Sequence, residues 1–434
     1  MLPSISKVLE KIVYNRLFDF FNTHNILNSN QYGFRKNHST DQALIQIYDK
    51  ITNALANKQH VIGIFLDLSK AFDTLDHNIS LYKLEFYGIR GQALSWFKDY
   101  LIKRKQYVAF NGHNSDLLSV ECGVPQGSIL GPLLFLLYVN DLSNTSSLLS
   151  FVLFADDTNI FCSHKKLESL VNILNNELSK VSNWFKCNKL SLNIKKTHFM
   201  HFKHNFHLED NAPIIINIDN IHIEQIKTFK FLGVLIDDNL TWNDQLHHVI
   251  MSISKSIGII NKLKFLLPYT TLFLLYNSLV LPYLTYCNIV WANCGATKLD
   301  PILLLQKRAL RICTGSTFLA HTDPLFLKLE TLKVTDVHIL QVAIFMFKYI
   351  NKQLPTSFNN YFCYNNTIHS YPTRISENFH LINPKLLITH KTIRHHGPDL
   401  WNNLPNIVKS RLTLYSFKAT LKRHLVLLYS SENH

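Results

Sequence analysis

Two adjacent aspartates, Asp156 and Asp157, interrupt an apolar run at residues 151–161, Phe-Val-Leu-Phe-Ala-Asp-Asp-Thr-Asn-Ile-Phe. Carboxylates between two strand-forming stretches are costly unless a turn or a cation receives them. The pattern predicts a tight hairpin that carries both acids at its tip. A third acid, Asp67, ends another apolar run at residues 61–66. Three carboxylates at strand ends predict a divalent-metal site of the all-oxygen kind used for phosphoryl transfer.

The isolated Asp-Asp dipeptide would favour an ordinary turn without chemistry. Asp67 and Asp156 are also far apart in the chain, so only a fold that sets two strands side by side can unite them. The placement of the acids inside apolar runs favours the metal site over the ordinary turn.

Composition limits the class of protein. The chain has 434 residues and 47% hydrophobic content, which is enough for two or three domains with sizeable cores. Its 44 Lys and Arg exceed its 30 Asp and Glu, and this charge suits either nucleic acid or an anionic membrane surface. The seven cysteines form no CxxC pair, which argues against a zinc knuckle or a disulfide framework. We therefore expect the nucleus or the cytoplasm, not secretion.

The order of predicted elements indicates an α+β fold. Strands and helices alternate up to about residue 240, and helical periodicity dominates afterwards. An uncharged stretch at 265–297 contains Pro268 and Pro282, and predicts a buried pair of helices, not a membrane span. We predict three regions, 1–240, 241–350 and 351–434.

Two motifs near the aspartates offer further candidates. Phe72 follows Asp67 by five residues, where its ring would either crowd a ribose 2′-hydroxyl or pack as an ordinary core aromatic. The loop 123–132 has three glycines, which allow a ligand close to the backbone. Gln126 in this loop is a candidate for contact with a nucleotide or template, and a purely structural turn is the alternative.

Three basic residues are candidates for contact with phosphates. Arg35 and Lys36 would bind a triphosphate, Arg35 through its two-pronged guanidinium, or form a solvated surface pair. Lys196 would protonate the leaving pyrophosphate, or serve as a surface lysine.

Several blocks, in this order and spacing, together resemble the reverse transcriptase of non-LTR retrotransposons, most closely the jockey-type group. The resemblance covers residues 1–240, and two later blocks, 305–311 and 396–401, are similar to the C-terminal region of the same elements. The blocks that carry it are Gln-Tyr-Gly-Phe-Arg at 31–35, Phe-Leu-Asp-Leu-Ser-Lys-Ala-Phe-Asp-Thr-Leu-Asp-His at 65–77, Gly-Val-Pro-Gln-Gly-Ser-Ile-Leu-Gly-Pro-Leu-Leu-Phe at 123–135, Phe-Ala-Asp-Asp at 154–157, Asn-Ile-Lys-Lys-Thr at 193–197 and Phe-Leu-Gly-Val-Leu-Ile-Asp at 231–237.

The resemblance implies a right-hand polymerase with partial fingers, a palm whose antiparallel sheet carries the catalytic aspartates, a mainly helical thumb and a C-terminal region. Its substrates would be an RNA template, a DNA primer and dNTPs, and its cofactor two Mg²⁺ ions, with Mn²⁺ as an alternative. The implied site consists of metal ligands Asp67, Asp156 and Asp157, sugar gate Phe72, template–nucleotide contacts Gln126 and Gly127, fingers residue Arg35, and primer grip Phe231, Leu232 and Gly233.

Other functions stay open on the sequence. Met1 falls within the first fingers block, so we expect an N-terminally truncated element. A catalytically inactive remnant that only binds nucleic acid is one alternative, and a group II intron-type maturase is another. An RNA-dependent RNA polymerase is disfavoured by Ala155 before the acids and by bulky Phe72.

Overall fold

The fold is described from a computed structural model that covers residues 4–203, 213–368, 376–382 and 387–431. The chain forms two units: residues 1–43 with 58–226, here the sheet unit, and residues 44–57 with 227–434, here the helical unit. The division into 1–240, 241–350 and 351–434 stays a prediction, and parts of its last range lie outside the described residues.

Helices and strands alternate along the first half of the chain, as predicted. Up to residue 226 the elements are α1 (Ser4–Thr23), α2 (Thr40–Ala56), β1 (His60–Leu66), α3 (His77–Phe86), α4 (Gly91–Ile102), β2 (Lys105–Gln106), β3 (Ala109–Phe110), β4 (His113–Asn114), β5 (Leu118–Ser119), α5 (Leu130–Tyr138), β6 (Ser150–Phe154), β7 (Asp157–His164), α6 (Leu167–Cys187), β8 (His198–Phe202), β9 (Asn217–Ile218), β10 (Ile221–His222) and β11 (Glu224–Gln225).

The central sheet of the sheet unit has the strand order β11-β8-β1-β7-β6. β1 is antiparallel to β7 and β8, and β6 is antiparallel to β7, whereas β11 pairs in parallel with β8. Every residue of β1 is buried, as expected for a strand in the middle of a sheet. The mostly antiparallel sheet confirms the predicted α+β class.

The amphipathic helix α6 shows how the sequence pattern builds this core. Its buried residues recur every three or four positions, which places them on one helix face. They join the main hydrophobic core together with residues of β1, β6 and β7. The members of this face are Leu170, Leu174, Leu178, Val181 and Phe185.

The helical unit contains a strand hairpin followed by helices. Beyond residue 226 the elements are β12 (Thr228–Phe231), β13 (Val234–Asp237), α7 (Asn243–Leu263), α8 (Tyr269–Leu279), α9 (Leu281–Thr285), α10 (Asn288–Trp291), α11 (Ala296–Thr314), α12 (Asp323–Lys328), α13 (Val334–Ile350), α14 (Asn365–Ile368), α15 (Leu387–His390), α16 (Ile393–Asn403), α17 (Asn406–Lys409) and α18 (Leu414–Ser431).

The prediction of a buried helical pair at 265–297 is wrong in part. The stretch forms the three helices α8, α9 and α10, and α8 buries only Leu272 and Tyr276. Phe265 is 87% exposed and Leu266 is 77% exposed. When apolar residues occur on all sides of a helix, the sequence does not show which face is buried. Here one face of α8 stays exposed. Across the described ranges, no helix is long and apolar enough to cross a membrane.

Candidate active site

The two adjacent aspartates lie at the turn between β6 and β7, as predicted. Phe154 pairs with Asp157, so Ala155 and Asp156 form a two-residue turn. Ala155 has a φ of 56°, in the left-handed region that such turns usually fill with glycine. The backbone is therefore strained beside the acids, and something must hold the turn in place.

The sheet brings the third acid to the same place. Leu66 of β1 and Thr158 of β7 are the last pair of this antiparallel register, so Asp67 and Asp157, the next residues on the two segments, lie at the same end of the sheet. The carbonyl of Asp67 accepts a hydrogen bond from the amide of Asn193 at 2.8 Å. The Asp67 amide donates to Thr197 Oγ1 at 3.4 Å. Two hydrogen bonds thus fix the Asp67 backbone at the end of its strand.

The three carboxylates influence one another electrostatically. Loss of solvation, together with the like charges of Asp156 and Asp67, raises the pKa of Asp157 to about 6. Within the described residues, no three His, Cys, Asp or Glu side chains converge tightly enough to ligate one ion in this conformation. The donors are nevertheless all carboxylate oxygens, and their mutual repulsion is what a bound divalent cation would offset. The residues therefore fit a hard divalent metal.

Gln31 holds the strained turn, a role for which the sequence carries no signal. Its Oε1 accepts hydrogen bonds from the amides of Ala155 at 3.0 Å and Gly33 at 2.8 Å. Its Nε2 donates to the Ala155 carbonyl at 3.4 Å. Gly33 lies so close that an added Cβ would be 2.3 Å from the Ala155 nitrogen. The Gln-Tyr-Gly segment thus fixes the backbone of the aspartate turn by hydrogen bonds and close packing.

A cavity of about 480 Å³ lies beside Asp156. The ring of Phe72 packs on Phe135 with centroids 4.6 Å apart, so the ring has a fixed position in the wall. Lys70 also lines the cavity, three residues after Asp67, and it is a functional candidate that the sequence motifs did not single out. The predicted residues that meet here are Phe72, Gln126, Gly127 and Asp156.

The glycine-rich loop is tied to the segment that carries Phe72. The amide of Val124 donates to the Phe72 carbonyl at 3.0 Å. Gly123 has a φ of 83°, and a Cβ there would be 2.7 Å from the Asp73 carbonyl oxygen. A side chain at position 123 would therefore force the loop away from Phe72, which explains the need for glycine.

Glu10 supports the same loop from helix α1. Only 1% of Glu10 is exposed, although it is an acid. Its Oε2 accepts from the Ile129 amide at 2.6 Å, and its Oε1 accepts from the Tyr100 hydroxyl at 3.1 Å. A buried carboxylate at the start of α5 is favoured by the helix dipole and by these two donors. The periodicity of α1 contains no signal for this role.

The basic candidates stand apart from the cavity wall just described. Arg35 Nη1 donates to the carbonyls of Asn28 at 2.6 Å and Gln31 at 3.2 Å, and burial lowers its pKa. Arg35 therefore stabilises its own loop in this conformation. Lys36 is exposed on the same loop, and Lys196 is exposed in the short 3-10 helix Ile194–Lys196 that follows Asn193.

The predicted primer-grip residues form a second hairpin, which belongs to the helical unit. Phe231 pairs with Val234, and Leu232 and Gly233 make the turn, with φ values of 46° and 80°. The hydroxyl of Tyr286 donates to the Leu232 carbonyl at 2.6 Å. A Cβ on Gly233 would be 3.2 Å from the Tyr286 ring, so the tyrosine packs directly on this turn.

Comparison with known proteins identifies the family. The profile for "Reverse transcriptase (RNA-dependent DNA polymerase)" matches residues 1–236, more than half of the chain. The chain belongs to the reverse transcriptase family. The mixed helix-and-sheet architecture of the chain is consistent with the right-hand polymerase fold of this family. Dependence on a divalent metal is a general property of the reverse transcriptase family.

The similarity to known relatives extends beyond residue 236 of this chain. It is 25% identical over 348 residues to the RNA-directed DNA polymerase from mobile element jockey of Drosophila melanogaster, covering 77% of this chain and 37% of that protein. It is 27% identical over 339 residues to the probable RNA-directed DNA polymerase from transposon BS of the same species, covering 73% and 36%. The chain thus spans little more than a third of these relatives.

A solved structure of apo telomerase from Candida tropicalis is also similar to this chain. The two chains are 14% identical with a TM-score of 0.42, and the match covers 77% of this chain and 55% of the telomerase.

Proposed function

We propose that this chain is the RNA-directed DNA polymerase of a non-LTR retrotransposon, which extends a primer 3′-hydroxyl with dNTPs on an RNA template. The observation that carries the proposal is the pairing of β1 with β7, which ends at Leu66 and Thr158, so that Asp67 and Asp157 follow at the same end of the sheet. Asp156 at the adjacent turn lines a cavity together with Phe72. A nucleotide in that cavity would have its phosphates next to the acids.

Asp67, Asp156 and Asp157 would hold two Mg²⁺ ions, with Mn²⁺ as a substitute. Hard carboxylate oxygens suit both cations. When bound, the ions would favour the deprotonated primer hydroxyl and offset charge on the triphosphate. The sheet contributes by holding the Asp67 backbone through Asn193 and Thr197, so that little reorganisation is needed.

The cavity wall would select and orient the nucleotide. Phe72, fixed against Phe135, would exclude a ribose 2′-hydroxyl and so favour deoxynucleotides. Gln126 is exposed at the cavity and would contact the nucleotide or the template base. Gly127, with a φ of 77°, lets the backbone approach closely.

Basic residues would handle the phosphates. Lys70 lines the cavity beside Asp156 and is the best placed of them to meet the triphosphate. Arg35 and Lys36 would reach the triphosphate from their loop, and Lys196 would give its proton to the leaving pyrophosphate. The turn at Phe231, Leu232 and Gly233 would hold the primer strand.

Primer extension on an RNA template tests the proposal. Asp156→Asn keeps the size of the side chain but removes a charge, so we expect at least a roughly thousand-fold lower kcat. Binding of the annealed primer–template should stay unchanged. Asp116→Asn makes the same change at an exposed acid outside the site and should retain full activity.

Equal incorporation by wild type and Asp156→Asn would overturn the site assignment. Tight binding of primer–template without any incorporation by the wild type would instead identify a nucleic-acid-binding remnant. Preference for rNTPs over dNTPs would contradict the role of Phe72.

A further inference from the structure

A second cavity lies in the helical unit, where the last turns of α7 and α11 meet the first turn of α8. Its volume is about 580 Å³, within the range of binding pockets for small molecules or single nucleotides. Its lining combines aromatic rings and cations, namely Lys264, Phe265, Tyr269, Arg308, Arg311 and Phe318. The proposed polymerase site uses none of these residues.

The aromatic rings of this cavity are unusually exposed. Phe265 is 87% exposed, Phe318 is 78% exposed and Tyr269 is 58% exposed. Single exposed rings are common on protein surfaces, but several around one cavity mark an interaction site. The Lys264 ammonium lies 4.8 Å from the centroid of the Phe265 ring, so cation and ring already form one surface.

The charge around the cavity has one sign. Residues 245–322 contain seven Lys or Arg and a single acid, Asp300. Arg308 is exposed at the cavity, and the Nε of Arg311 donates to the Ala320 carbonyl at 2.9 Å, which fixes that side chain. A ligand of negative charge would therefore meet two guanidinium groups beside the rings.

We propose that this cavity binds single-stranded nucleic acid, with bases stacked on Phe265, Tyr269 and Phe318 and phosphates bound by Arg308 and Arg311. Stacking rings beside cations are what single strands require, because each base offers a flat face next to a charged backbone. A duplex keeps its bases stacked on one another and would leave these rings uncovered. The inference goes beyond the proposed function, because it requires no catalysis.

Binding of labelled oligonucleotides by the full chain tests the inference. The probes are oligouridylate and oligothymidylate of about fifteen nucleotides, enough to fill one such site, and a blunt duplex, all measured by fluorescence anisotropy. Phe265→Ala combined with Phe318→Ala should weaken single-strand binding at least about ten-fold, or about 1.4 kcal/mol. Both side chains are exposed, so the fold should be retained.

Arg308→Glu tests the binding of phosphate. We expect about ten-fold weaker binding, and a plot of log affinity against log salt that is shallower by about 0.7 for each phosphate that the variant no longer binds. The matched controls lie on α18: Arg423→Glu makes the same charge change, and Tyr415→Ala removes an aromatic ring that is 85% exposed. Both controls should bind the oligonucleotides like the wild type.

Photo-crosslinking of the bound oligonucleotide should mark peptides that contain Phe265, Tyr269 or Phe318. Tighter binding of oligouridylate than oligothymidylate would identify RNA as the ligand, and the reverse would identify DNA. The inference is overturned if the site variants bind single strands as the controls do, if only duplex binding is lost, or if polyglutamate displaces the oligonucleotide with equal affinity.

The test is independent of the polymerase proposal. Asp156→Asn should bind the single strands like the wild type. If the wild type never extends a primer but the cavity variants still lose single-strand binding, the proposed function fails and the binding site stands.

Discussion

The two-residue hairpin turns at Ala155–Asp156 and at Leu232–Gly233 are held in different ways. Ala155 in the sheet unit and Leu232 in the helical unit both have positive φ without being glycine. Each such residue costs about 1 kcal/mol or more of backbone strain. The Ala155 turn carries acids, whereas the Leu232–Gly233 turn carries no charged side chain.

Among the described residues, the turn that carries acidic side chains has more hydrogen bonds to its backbone than the turn without them. Gln31 bonds both the amide and the carbonyl of Ala155, and it is 2% exposed. The Tyr286 hydroxyl donates to the carbonyl of Leu232, and Tyr286 is 44% exposed. A turn that must aim side chains needs its backbone fixed on both sides, because a small rotation displaces the side-chain tips most. A turn without charged side chains, such as Leu232–Gly233, needs fewer hydrogen bonds to fix its backbone.

Among the changes that test the difference between the two turns, loss of the Gln31 side-chain amide should have the largest effect on stability and activity. Gln31→Ala leaves two backbone amides and one carbonyl without this partner, so the free energy of unfolding should fall by about 3 kcal/mol. We also expect kcat for primer extension to fall by about 100-fold, because the Asp156 carboxylate is no longer held in position. Denaturant unfolding and single-turnover extension measure the two effects.

Gln42→Ala is the matched control for Gln31→Ala. Gln42 is 3% exposed, and its Oε1 accepts from the Ser39 amide at 2.9 Å, away from the turn. The control should cost about 1 kcal/mol of stability with kcat unchanged. If both variants lower kcat equally, Gln31 has only a general structural role.

The stability of the aspartate turn should depend on pH and on divalent metal, whereas the stability of the Leu232–Gly233 turn should not. The pKa of Asp157 is raised to about 6, so the folded protein holds this proton more tightly than the unfolded chain. Stability should therefore fall as pH rises from about 4 to 6 and then level off. Asp157→Asn should remove this slope and stabilise the metal-free protein by about 1 kcal/mol at pH 7, since solvent screens part of the repulsion.

Thermal unfolding with and without MgCl₂ measures this electrostatic effect. Mg²⁺ should raise the Tm of the wild type more than that of Asp157→Asn, and the difference should shrink below pH 6 as the carboxyl takes up its proton. An equal response of both proteins to Mg²⁺ would contradict a role for Asp157 in metal binding.

The smallest effect on stability and activity should come from a change at the Leu232–Gly233 turn. Tyr286→Phe removes one partly exposed hydrogen bond, so the free energy of unfolding should fall by roughly 0.5–1 kcal/mol. Primer–template affinity should weaken by about three-fold with kcat at saturation unchanged. Tyr283→Phe removes the same hydroxyl from a neighbouring tyrosine and serves as control. A lower kcat with unchanged affinity would contradict the primer-grip role.

Much of the sheet unit could be predicted because its signals are local. The run that ends at Asp67 is β1, and the interrupted run at 151–161 is the β6–β7 hairpin. These strands are short apolar runs bounded by polar residues, as is typical of buried strands, and α6 has the 3.6-residue period of an amphipathic helix. The family followed from the order of the motifs, which the profile match over residues 1–236 confirms.

The supporting residues could not be predicted, because their partners are remote in sequence. Glu10 bonds Ile129, and Gln31 bonds Ala155, across more than a hundred residues in each case. A buried acid in an amphipathic helix looks like a surface residue until its partner is known. The exposure of Phe265 and Phe318 could not be predicted for a related reason, since the pattern of residue types does not record which neighbours cover a ring.

The sequence alone determined which residues could do the chemistry: acids at strand ends, a glycine loop and their order along the chain. The tertiary structure decided which of them meet. Strand pairing brought Asp67 to the same end of the sheet as Asp157, the Gln31 amide fixed a strained turn, and helix packing left a basic aromatic cavity open. Residue types set local preference and charge, whereas distances between segments depend on how strands pair and which helix faces are buried.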